Sequence, residues 1–166
     1  PKNNYLKKIR QLTRKLGIVL IFDEVLTGFR LAYGGAAEYY GVRPDMVCFG
    51  KIAGGGFQLA GFGGEAQIME VLEPGGGWRR GTFHAGTYNG HPVSVAAGLK
   101  ALQILEEHPE YYDHVNSLGR QLYGGLQDLA DDRRIPAWVE YVGSIGNVYF
   151  TTQDEIRDFR DTGNTN

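Results

Sequence analysis

Two charged residues in this 166-residue chain follow short apolar runs: Asp23 after residues 18–22 (IVLIF), and Lys51 after residues 46–49 (MVCF) and a glycine. Gly54, Gly55 and Gly56 stand just beyond the lysine, and Gly86-Thr87 opens a turn-rich stretch before a helical pattern. A lysine amine can hold an aldehyde as a Schiff base, a carboxylate can keep a pyridine nitrogen protonated, and donors at a turn or helix start can hold a phosphate. Pyridoxal 5'-phosphate chemistry needs those three parts, and Asp23, Lys51 and the Thr87 turn provide one of each. Spacing alone leaves the reading open, because a lysine after a strand is far more often a solvated surface residue. The reading also requires the Lys51 amine and the Asp23 carboxylate to face one hollow.

Other chemistries fit less of the chain. An acid ending a buried strand could hold Mg²⁺ in a nucleotide hydrolase, but Gly50-Lys51 is followed by Ile52 rather than Ser or Thr, and Asp45 stands where a P-loop needs glycine. Residues 61–66 (GFGGEA) match the loose dinucleotide fingerprint G-x-G-x-x-A, with only a short, weakly patterned segment before them and no clear ribose-binding acid after. His84, His91, His108 and His114 show no metal-ligand spacing, so no metal site is expected. The net charge of −2 offers no field for a polyanion, which excludes nucleic acid as an expected partner. The single cysteine, Cys48, cannot form an internal disulfide, and no apolar stretch could span a bilayer, so a reducing, cytoplasmic setting without membrane contact is expected.

The positioning elements can be read from periodicity. Residues 4–16 carry Leu6, Ile9, Leu12 and Leu16 at helical spacing, with Gly17 in place to end the helix. The run at 18–22 reads as a strand covered on both faces and ended by Asp23-Glu24; residues 46–49 read as a second, parallel strand after a crossover. Val95, Leu99, Leu102 and Leu105 mark a helix over 91–108, and Val115, Leu118, Leu122, Leu126 and Leu129 another over 113–130. Residues 138–142 and 147–151 read as a hairpin with a four-residue connection, and the tail from 153 is polar and closes no evident core. Glycine, 25 residues, is the compositional outlier, clustered at 34–35, 54–56, 61–64 and 75–77 with Gly81, Gly86 and Gly90 behind. Alternating helix and strand followed by antiparallel pairing predicts an α/β unit over 1–108 and the start of a second domain over 109–166. The chain starts at Pro1 and runs almost at once into helical pattern, which suggests a segment of a longer polypeptide.

Residues 22–30 (FDEVLTGFR), the segment from Pro44-Asp45 through Gly50-Lys51 to Gly56, and Gly86-Thr87 through Gly90-His91-Pro92 together resemble the class III aminotransferases of pyridoxal phosphate fold type I. Tyr33-Gly34-Gly35-Ala36, Tyr40-Gly41 and Phe62-Gly63-Gly64 extend the likeness toward the glutamate-1-semialdehyde 2,1-aminomutase group. The resemblance implies an α/β fold of type I, with 1–108 part of the large cofactor-binding domain and 109–166 the start of the small C-terminal domain. It implies pyridoxal 5'-phosphate as cofactor, Lys51 as its Schiff-base residue and proton carrier, Asp23 at the ring nitrogen and Val25 against the ring. Thr87 would reach the phosphate in a neighbouring subunit, which makes a homodimer part of the site. The implied activity is transfer of an amino group between an amino acid or amine and a keto acid or aldehyde, with aminomutase as the alternative. The aminomutases usually continue their Gly-Thr in a Leu-Ser-Gly-Asn-Pro style, where this chain reads Tyr88-Asn89-Gly90-His91-Pro92. A catalytically incompetent fragment or non-catalytic fold relative is the reading from another class, since the family's phosphate-cradling turn and ring-stacking aromatic find no match in these residues.

Overall fold

The basic helix near the N-terminus forms over Tyr5–Leu16 (α1) and ends at Gly17, whose φ of 65° takes the left-handed turn that glycine tolerates best. A computed structural model describes residues 3–73 and 82–164 of the chain, so the glycines at 75–77 and Gly81 lie outside the described residues. Two compact units are found, Pro1–His108 and Pro109–Asn166.

In the first unit, β1 (Ile21–Glu24) and β2 (Met46–Phe49) pair in parallel, with Asp23 opposite Cys48 and Glu24 opposite Phe49. The connection carries a short helix, α2 (Gly35–Tyr40). Asp45 docks the start of this pair: its carboxylate accepts from the Leu20 N–H at 2.7 Å and from the Arg10 guanidinium of α1 at 2.8 Å. These two bonds hold the Asp45 carboxyl below its ordinary pKa, the Arg10 contact contributing most. A third strand, β3 (Gly61–Gly64), runs antiparallel to β2, giving the order β1-β2-β3. A short helix α3 (Ala66–Met69) follows, and after the undescribed stretch α4 covers Pro92–Glu107.

The second unit is a helix, α5 (Glu110–Asp132), against a hairpin of β4 (Ala137–Val142) and β5 (Ile145–Phe150). Gln127 ties them: its Oε1 accepts from the Val139 N–H at 2.9 Å. Gly119 lies so close to the Gly143 carbonyl that a Cβ would clash, and the Tyr123 and Tyr141 rings stack at 5.5 Å. No helix among the described residues is long and apolar enough to cross a membrane.

Several sequence expectations need correction. The first strand comprises residues 21–24, so Asp23 and Glu24 belong to it rather than terminate it, and Ile18, Val19 and Ile21 are about half exposed in this chain instead of covered. Pairing to β2 decides those limits, since Leu20 is the residue that meets the Asp45 side chain. β3, three-quarters glycine, carries no strand propensity and owes its extended form to its partner. The hairpin connection is two residues, Gly143 and Ser144, because Gly143 at φ 55° permits a tight glycine-first turn. In the polar tail Ile156 is only 6% exposed and joins the core of the second unit. The helices stand where periodicity placed them, but their buried residues are small: Ser94 and Gly98 in α4, Gly119 and Ala130 in α5, while Val95, Leu99, Leu118 and Leu122 are exposed.

Candidate active site

Parallel strands that neighbour each other end at the same edge of a sheet, and ligands of open α/β sheets bind outside that carboxyl edge. β1 and β2 bring the segments carrying Asp23 and Lys51 to this edge. Successive strand residues point to opposite faces. Asp23 is exposed whereas Glu24 is 4% exposed, which identifies one open face and one covered face at the end of β1. Directly cross-strand residues share a face, so Asp23, Cys48 and Phe62 form a row on the open side, about 10 Å across at ordinary strand spacing.

One Asp23 oxygen, Oδ1, accepts from the Val25 N–H at 3.0 Å, so the carboxylate is oriented by the peptide that follows the strand. Val25 in turn lies beside the lysine segment: its Cγ1 would be 3.6 Å from a Cβ on Gly50. The loops after the two strands therefore touch.

Lys51 is exposed and opens a 3-10 turn, Lys51–Gly54. Its φ of 49° is left-handed, a conformation that costs a non-glycine residue about 1–2 kcal/mol. The strain is offset by packing of the turn on α4. Ala53 is fully buried, Gly55 at φ 57° leaves no room for a Cβ against the Ala97 carbonyl (2.6 Å), and Gly98 admits the Ala53 carbonyl where any side chain would collide. Gly55 thus serves helix contact, a role the sequence did not separate from close ligand approach, whereas a Cβ on Gly54 would meet Leu59 and one on Gly56 would meet nothing within 4 Å. Gly98→Ala should accordingly destabilise the first unit by about 1–3 kcal/mol despite the ~1 kcal/mol gain in helix propensity. Urea unfolding checks the sign, and a stabilised variant would show that α4 does not clamp the turn.

Thr87 is exposed on the turn before α4, where the Asn89 N–H donates to the Gly86 carbonyl at 3.0 Å. The same stretch reaches the open sheet face through His84, whose ring meets Phe62 edge-on at 5.1 Å and whose Nε2 lies 3.4 Å from Asn89 Nδ2. Sequence reasoning gave His84 and Phe62 no place beside Asp23, since only β3 pairing puts Phe62 in the Asp23 row.

It also missed Glu24. On the covered face its carboxylate accepts from the Ala36 and Ala37 N–H groups, both at 2.8 Å, and from the Thr27 hydroxyl. Gly35, at φ 66°, makes space: a Cβ there would lie 2.5 Å from Glu24 Oε2. Beside it Phe29 packs edge-on against both Phe49 and Tyr33. Burial and, to a lesser degree, the Glu106 charge push the Tyr33 hydroxyl above its ordinary pKa.

Comparison with known proteins matches residues 1–165 to the family described as Aminotransferase class-III. A glutamate-1-semialdehyde 2,1-aminomutase of Alkaliphilus oremlandii (strain OhILAs) is 44% identical over 160 residues, 96% of this chain and 35% of that protein. The chain thus spans about a third of the length of the curated relatives it matches. Among solved structures, an omega-transaminase from Sphaerobacter thermophilus superposes with a TM-score of 0.81 at 39% identity, covering 92% of this chain and 34% of that one. A transaminase with PLP bound gives 0.79 at 28% identity, covering 89% and 34%. The mixed α/β unit with its acid and lysine at one sheet edge is that of fold type I, and the chain belongs to the class III aminotransferases.

Proposed function

We propose that this chain carries the lysine-bearing part of a pyridoxal phosphate-dependent enzyme that transfers an amino group between an amino acid or amine and a keto acid or aldehyde. The observation that supports it most is the sheet edge itself: Asp23 lies in β1 near its carboxyl end, Lys51 follows the parallel strand β2, and Val25 after β1 lies beside Gly50, next to the lysine. The donor set fits the cofactor, combining an exposed lysine at the sheet edge, an exposed carboxylate oriented by its own backbone, and an open sheet face running from Asp23 to Phe62. When bound, pyridoxal phosphate supplies a sink for the electron pair left at the substrate carbon after proton loss.

The chain's own residues then have distinct tasks. The Lys51 amine would hold the cofactor aldehyde and would carry a proton to and from the substrate Cα. Asp23, a carboxylate, would favour a protonated ring nitrogen placed beside it. Val25 would pack against a ring face and exclude water. Thr87 would donate to a phosphate in the neighbouring subunit of a homodimer. In this reading 1–108 is part of the large cofactor-binding domain and 109–166 begins the small C-terminal one, and the single cysteine suits the reducing cytoplasm.

The aminomutase likeness favours a second reading, internal exchange of nitrogen within one molecule. The two part on whether turnover needs a separate amino acceptor. For either, borohydride reduction of the full natural polypeptide with cofactor, followed by peptide mapping, should place the pyridoxyl mass on Lys51. A label on another lysine, or none, overturns the assignment.

A further inference from the structure

We infer that Glu24 is a positioning residue that sets the Asp23 carboxylate from the opposite face of the sheet, an inference that rests on the pyridoxal phosphate reading above. The Asp23 side chain is held by the N–H of Val25, which belongs to the Glu24–Val25 peptide. The residue at 24 is anchored through both its side chain and its carbonyl. Its carboxylate, 4% exposed, takes three donors from Thr27, Ala36 and Ala37, and its carbonyl accepts from the Gly28 N–H at 2.8 Å.

The surroundings are shaped for a full-length carboxylate. Gly35 leaves a gap that a methyl group would close on Oε2, and Gly28 leaves one that would close on the Glu24 carbonyl at 2.6 Å. All three partners of the carboxylate are donors, so they match an acceptor-only group. An amide would turn its own NH₂ toward at least one of them, and aspartate is one methylene too short to span from β1 to α2. A hydrogen bond to a buried carboxylate is among the stronger ones available. The peptide that orients Asp23 is therefore clamped by a group that never approaches the cofactor face.

The test uses the full natural polypeptide with pyridoxal phosphate and reads the cofactor rather than turnover. Glu24→Gln should weaken cofactor binding about tenfold. It should also move the pH titration of the cofactor absorbance in the direction that Asp23→Asn moves it. Thr27→Val, which removes one donor, should give a smaller change of the same sign. In the double variant, Glu24→Gln should add little to Asp23→Asn, because both act on one carboxylate. Loss of thermal stability with an unchanged titration, or full additivity with Asp23→Asn, would reduce Glu24 to a helix anchor and overturn the inference. Should Glu24→Gln fail to fold, an unmoved titration in Thr27→Val overturns it instead. If Asp23→Asn itself leaves the cofactor absorbance at wild type, the functional reading falls, and not this inference alone.

Discussion

Lys51→Ala should lower turnover by about 10⁴-fold or to the floor of the assay, the upper range for losing a positioned proton carrier, with the covalent link to the cofactor lost as well. Folding should be nearly untouched, within about 0.5 kcal/mol, because the side chain is exposed and the buried anchor of the turn is Ala53. Lys51→Arg makes the sharper comparison. It keeps the charge and most of the length, yet a guanidinium neither gives up its proton nor holds an aldehyde as an amine does, so activity should be lost to the same extent. Steady-state rates on the full natural polypeptide, with a melting curve for each variant, check both. Turnover within tenfold of wild type in either would remove Lys51 from the mechanism.

Asp23→Asn should cost about 10²–10³-fold in the proton-transfer step, the usual size of effect for removing one preorganised electrostatic partner. The substitution is well isolated: an asparagine oxygen can still accept from the Val25 N–H, so the turn after β1 survives while the charge is gone. The rate of the first half-reaction, followed in a single turnover, is the right measurement, since product release cannot mask it. An undiminished rate with intact cofactor binding would mean that the ring nitrogen is served by some other group.

Much of the frame was legible from local pattern. α1, α4 and α5 were marked by apolar periodicity and by Gly17, Pro92 and Pro109, and β2 by a short apolar run after a proline turn. Their buried faces were not. In α4 the lysine turn is met by Ala97, Gly98 and Ala101, and in α5 Gly119 meets the hairpin turn, because backbones can approach so closely only where side chains are minimal. An apolar stripe advertises a helix, but the side it buries depends on the shape of the neighbour. β3 was illegible for a related reason: glycine has no strand preference, and its extended form comes from hydrogen bonds to a strand twelve or more residues away.

From its sequence alone this protein could be placed in its family, and Asp23, Lys51 and Thr87 could be proposed for the site, because a Schiff base needs an amine, a protonated ring nitrogen a carboxylate, and a phosphate a donor. What only the tertiary structure decided is which of two neighbouring acids faces out and which is buried. Asp23 and Glu24 are adjacent carboxylates of the same charge, and nothing local tells them apart. A strand sends consecutive residues to opposite faces, α2 covers one of those faces, and so one acid becomes a buried anchor while the other is left open to a ligand.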